Sequence, residues 1–338
     1  MSNVDVNIVA HDRASRVMNH VAGRMGILNK QGLAMGVAFA GVNMAMNAGM
    51  RAIGAMVSYV NEGVNAYREF EDSIAEVNTM LTAETEHYLP EMENSIEQLA
   101  QTWGKDANDM AAGMYQVLSA SVDAADAVQF LGVASKAATA GLTNVETSVD
   151  ALTTVVNAYG YEAGYANHIS DVMFTTVKRG KLRFEELAQS MGYVVPIAAQ
   201  LGISFEEVAA AMATMTKQGI RANMAARSLR MIMTDLASPS TEAKDAAAGY
   251  GISLDGLHLS VVGLSGVLSE VNDAIGDNKT ALTDIFPNVR SLSGVMALMA
   301  NDAEMFKDDI VSMFDESAGA STKAALKIME SGGFIKKA

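Results

Sequence analysis

LGISFEEVAAAMATMTKQG, residues 201–219, is the stretch on which the fold class turns. Ser204 stands three residues before Glu207, the spacing of a capping box: the hydroxyl accepts a first-turn N–H and the carboxylate reaches back. Phe205, Val208, Met212 and Met215 follow at helical spacing, and Gly219 ends the run as a C-terminal glycine. AGLTNVETSVDALTTVVNAYG, residues 140–160, repeats the design. There Thr143 precedes Glu146, Val145, Val149, Leu152 and Val156 form the apolar stripe, and Gly160 closes it. Two such units do not establish a repeat, but they define an all-α chain of helices joined by short Gly-containing turns.

Composition agrees. The chain has 338 residues, 50% hydrophobic and 6% aromatic, with only four prolines. Its 24 methionines suit adaptable helix-on-helix surfaces. The absence of cysteine excludes disulfides and thiolate metal sites. A net charge of −15 argues against nucleic-acid binding by phosphate neutralisation, and no sequence-specific readout is expected.

The charge is uneven. Residues 1–60 carry Arg13, Arg16, Arg24, Lys30 and Arg51 against Asp5 and Asp12, whereas 61–100 are strongly acidic. Residues 3–10 alternate apolar and polar and predict one short strand. A long helical stretch is expected from the thirties to Leu81, with Val60, Val64, Tyr67, Ile74 and Val77 at helical spacing, and Pro90 is expected to end it. Within it, Gly32 to Met50 is uncharged. Gly32, Gly36 and Ala40, and again Gly41, Ala45 and Gly49, recur every four residues, a small-residue pattern for close helix packing and self-association. Asn43, Asn47 and Arg51 form a polar line that a lipid-facing helix would avoid. The length alone also admits a membrane span. The expected divisions are an amphipathic lead at 1–30, an apolar then acidic helical segment at 31–89, a helical core at 90–248, and a Gly-richer helical part at 249–338 that continues or is truncated.

No catalytic or metal-binding constellation stands out in the sequence. The five histidines (His11, His20, His87, His168, His258) stand apart from one another and from any carboxylate at ligand spacing, so no metal is expected. VVGLSGVL around Ser265 misses the G-x-S-x-G elbow and reads as a Gly-rich turn. Glu185–Glu186 and Asp308–Asp309 are sequence neighbours that point about 100° apart on a helix, as solvated faces do. Lys178, Arg179, Lys181 and Arg183 form the one basic run. Its bland reading is helix-end charge before a terminating Gly180, and its sharper one an anion or partner patch. No cofactor and no catalytic residue are expected.

Several stretches, taken in order, resemble the core of phage tail tape measure proteins of the TP901 type. AYREFEDSIAEVNTML resembles the family's entry helix, and Met110–Gly160 resembles its next block, with the Ala140–Thr143 turn. Ile169-Ser170-Asp171, Phe184-Glu185-Glu186-Leu187, Pro196, Leu201-Gly202, Gln218-Gly219-Ile220 and Leu229-Arg230 then follow the family order. Ser121 stands where glycine is usual, and Arg183 where a small polar residue would cap the next helix. The resemblance implies an elongated helical array and a structural role in the virion. Copies would lie in the tail tube lumen, template its length during assembly in the host cytoplasm, and leave ahead of the DNA. It implies self-association and contact with tail tube protein, assembly chaperones and tip or baseplate proteins, and with the host membrane on ejection. Two other readings stand beside it: a membrane-active protein inserting through residues 32–60, and a soluble α-helical scaffold for partner proteins.

Overall fold

A computed structural model describes residues 66–276, 278–301 and 303–330. The chain divides into two units, 1–76 and 77–338. In the first, residues 66–76 are helical. The expected strand at 3–10, the small-residue pattern Gly32 to Gly49, the polar line Asn43–Asn47–Arg51 and the chain end after 330 lie outside the described residues.

The second unit is helical, and among the described residues no strand occurs. Helix ends at 79, and a turn closed by the Thr85 hydroxyl accepting the Thr82 N–H at 2.9 Å leads to a 3-10 turn at Glu86–Tyr88. Pro90 then lies in the first turn of α1 (Leu89–Trp103), so it opens a helix rather than closing one. The first turn has N–H groups to spare, and proline's fixed φ suits it.

There follow α2 (Ala107–Ser119), α3 (Ala124–Ala140), α4 (Val145–Tyr159), α5 (Ala166–Arg179), α6 (Phe184–Gln200) and α7 (Phe205–Lys217). After them come α8 (Ala222–Ala237), α9 (Thr241–Gly249), α10 (Gly256–Ile275), α11 (Lys279–Ile285), α12 (Val289–Leu298), α13 (Glu304–Asp315) and α14 (Ala320–Ile328). The starts are written in short polar side chains. Asp106, Asn144, Ser204, Ser240, Asp255, Asn278 and Asn288 each accept a first-turn N–H at the head of α2, α4, α7, α9, α10, α11 and α12.

Three expected caps are corrected, one of them Glu207, which turns to Ser265 and not to Ser204. The cap of α4 is Asn144, whose Oδ1 accepts the Thr147 N–H at 2.7 Å, and not Thr143 with Glu146. The Thr143 N–H closes the end of α3 on the Ala138 carbonyl, because Leu142 at φ 53° turns the chain left-handed just before it. Gly180 is extended (φ −88°, ψ −179°) rather than left-handed. Glycine suits it sterically: a Cβ would lie 2.4 Å from Leu182 and 2.8 Å from Thr216 Oγ1. Gly160 and Gly219 are left-handed at the ends of α4 and α7. Ser121 is left-handed too, at φ 65°, which gives a physical reason for glycine at that position of the turn.

The core is built on α7, where every residue from Phe205 to Thr216 is buried. Ala209, Ala210, Ala211 and Ala213 let neighbours approach closely, while Val208, Met212 and Met215 fill the gaps between them. Helices α5, α6, α8, α10, α12 and α13 all pack on it. A helix buried on all sides is a core helix, and α7 occupies that place. Farther out, α4 packs on α2, α3 and α6, and α6 on α8.

Two readings of the C-terminal third change. The Gly-rich stretch around Ser265 lies within α10, which is broken into two helical segments at Gly263 (φ 75°, ψ 176°). The run Ser291–Phe306, which its sequence predicts as one helix, is divided between α12 and α13, separated by left-handed Asn301 and Ala303.

Candidate functional site

The most distinctive polar feature is four buried carboxylates on or against α5 and α7, each with partners of its own. Asp309 of α13 is wholly buried. Its Oδ1 accepts from Arg179 Nε at 2.6 Å and Lys217 Nζ at 2.5 Å, and its Oδ2 from Thr214 Oγ1 at 2.7 Å. Arg179 also binds the exposed Asp308. The expectation that Asp308 and Asp309 share a solvated face therefore holds for Asp308 alone. Two cations and a hydroxyl make burial of the Asp309 charge tolerable.

Asp171 of α5 is also buried and accepts from the Gly319 N–H at 2.7 Å, the Ser321 N–H at 3.0 Å and the Ser321 hydroxyl. It thus caps α14 from far along the chain. The neighbours Glu206 and Glu207 are both buried and point to different partners. Glu207 does not reach back to Ser204. Its Oε1 accepts from Ser265 N and Oγ at 3.1 and 2.9 Å, capping the second segment of α10. Glu206 Oε1 lies 2.6 Å from His168 Nε2, so the fold supplies the carboxylate partner that sequence spacing withheld from this histidine.

A train of rings leads into this pair. Tyr159 stacks on Tyr161 at 5.2 Å, Tyr161 meets Tyr165 at 4.4 Å, and Tyr165 meets His168 at 4.9 Å. Burial pushes the Tyr159 hydroxyl up, keeping it a proton donor to the Ile203 carbonyl at 2.9 Å.

The hydrogen bond to Glu206 holds the His168 imidazolium above the ordinary 6.5, against the opposing effect of burial. Folding thus favours the protonated ring. The stability it adds is complete below 6.5 and is lost as pH rises through the raised folded-state value. We expect urea-unfolding stability to decline on that upward passage, and His168→Asn to flatten the decline.

The expected basic patch is divided by the fold. Lys178, Lys181 and Arg183 are exposed, but Arg179 is committed to Asp308 and Asp309 and is not open to an outside anion. Arg183 occupies the position before α6, where its side chain can accept nothing; Glu186 accepts the Arg183 N–H at 2.8 Å. Among the described residues, no group of three histidine or acidic side chains is placed to hold a metal ion. Among them, too, no helix is long and apolar enough to cross a membrane. What these charges do is join helices distant in sequence. The pattern of α13 offered one signal for Asp309: Phe306, Asp309 and Met313 share a face at helical spacing, which puts the carboxylate on the apolar side. Nothing local signals the partners of Asp171, Glu206 or Glu207.

An all-α unit whose distant helices are joined through buried carboxylates is the class of protein defined by this geometry. Residues 93–287, more than half of the chain, match the family described as phage-related minor tail protein, and the chain belongs to that family. It is similar to a probable tape measure protein of Clostridium phage phiCD119, with 24% identity over 268 residues covering 76% of this chain and 28% of that protein. The tape measure protein of Pneumococcus phage Dp-1 is 24% identical over 311 residues, 90% of this chain and 26% of that one. A probable tape measure protein of Escherichia phage P2 is 22% identical over 277 residues, 79% and 34% of the two chains. The chain thus spans 26–34% of the length of these relatives. No solved structure matches.

Proposed function

We propose that this chain is part of a phage tail tape measure: a structural protein of the tail lumen that sets tube length during assembly and leaves ahead of the DNA. Similarity to tape measure proteins over 76–90% of the chain is the observation that carries this reading. The helical unit fits a structural part, because its buried charges are spent on holding α5, α7, α10, α13 and α14 together. The partners that follow are further copies of the chain, the tail tube protein, assembly chaperones and the tip or baseplate. Residues 32–49 are the segment proposed for packing between copies, and the exposed Lys178, Lys181 and Arg183 are a contact available to a partner.

Protease treatment of purified tails, followed by detection of this chain, tests its place. It should resist digestion in intact tails and become sensitive once the tube is opened. Equal digestion in both, or absence from the tails, would overturn the proposal.

A further inference from the structure

Helices α13 and α14 are attached differently from the rest of the unit. Their buried apolar side chains are few: Phe306 and Met313 on α13, and Ala325 on α14. Besides packing on α3, α5 and α7, each is anchored by a buried carboxylate. Asp309 carries α13 to Arg179, Lys217 and Thr214, and Asp171 carries α14 by three hydrogen bonds. Both anchors converge on α5, which supplies Arg179 at one end and Asp171 near its middle.

The helix starts point the same way. Neither α13 nor α14 has a side-chain cap of its own at its first residue. The Gly319 and Ser321 N–H groups of α14 take Asp171 only while that helix is docked. A nine-residue helix without its cap is not stable alone in water. The joint before α13 is strained as well. Ala303 (φ 59°) is left-handed and buried without being glycine, two residues after Asn301 (φ 54°), a residue type that tolerates this conformation. Gly319 (φ 74°) forms the second joint.

We propose that residues 304–328 form a strap that undocks as one unit from α3, α5 and α7 while the remaining helices stay folded. Asp309 and Asp171 are its latches, and the left-handed joint at Ala303 stores conformational energy that opening releases. Opening uncovers Arg179, Lys217 and one side of the apolar helix α7, turning a closed unit into one with a new surface. The strap also lies wholly beyond residues 93–287, where the family match ends. This inference rests on the fold and is independent of the tape measure reading.

Native-state hydrogen exchange on the full chain tests it. Amides of α13 and α14 should exchange together through an opening that depends weakly on denaturant, while those of α8 wait for global unfolding. Asp171→Asn and Asp309→Asn should each speed exchange across 304–328 tenfold or more without changing α8. Ala303→Gly, which relieves the joint, should slow it. Should Asp309→Asn fail to fold, Asp171→Asn and Ala303→Gly decide the matter. The strap is refuted if α13 and α14 exchange at the rate of α8, respond separately from each other, or quicken only together with the whole chain.

Discussion

Gly263→Ala should lower the unfolding free energy by about 3–5 kcal/mol, far beyond what an added methyl usually costs. At φ 75° and ψ 176°, Gly263 occupies a backbone region open essentially to glycine alone, which accounts for roughly 1–3 kcal/mol of strain in any other residue. The added Cβ would also lie 2.7 Å from Glu207 Oε1 and 2.8 Å from Oε2. That carboxylate accepts both polar hydrogens offered by Ser265, and hydrogen bonds to a charged group contribute about 1.5–3 kcal/mol. Moving it aside uncaps the second segment of α10 and leaves a buried charge poorly paired. Urea titration should show the midpoint falling with little change of slope. A loss below about 1 kcal/mol would mean that α10 bends freely at this point and that Glu207 does not hold it.

Phe205→Ala should cost about 3–5 kcal/mol, the usual range for removing a fully buried aromatic. Phe205 opens α7 and is 1% exposed, and its ring meets Tyr159 edge-on at 6.4 Å and 72°. The loss therefore falls where the end of α4 and the central helix meet. Phe205→Leu, which keeps most of the apolar volume, should lose much less. Equal losses for the two would point away from cavity formation. The same titration, read by circular dichroism at 222 nm, separates them.

The two substitutions mark what was and was not legible in the sequence. The helix of Phe205 was readable because its signals are local: a cap at Ser204, apolar positions every three or four residues, and Gly219 at the end. All-α architecture follows from such signals repeated along the chain. The α4 cap was missed by one residue, since Thr143 and Asn144 are both capable caps and only the left-handed turn at Leu142 decides between them. Gly263 was legible as a break but not as a bend within α10, because the carboxylate that occupies the glycine's open side is 56 positions earlier. Asp309 misled for a related reason. A pair of adjacent aspartates reads as solvent-facing until Arg179 and Lys217 are brought to one of them by α5 and α7. Buried charge is decided by tertiary neighbours, and no window of sequence contains them. Family resemblance reached further than periodicity, because the order of several weak motifs carries information that none of them holds alone.

The most direct measurement of the central claim is the length of tails assembled with altered versions of this protein, read by electron microscopy. An in-frame insertion of continuous helix should lengthen every tail in proportion, by up to about 1.5 Å per inserted residue. Substitutions such as Phe205→Ala, which change stability and not chain length, should leave the length of any assembled tails unchanged. Tails of constant length whatever the length of the chain would contradict the account.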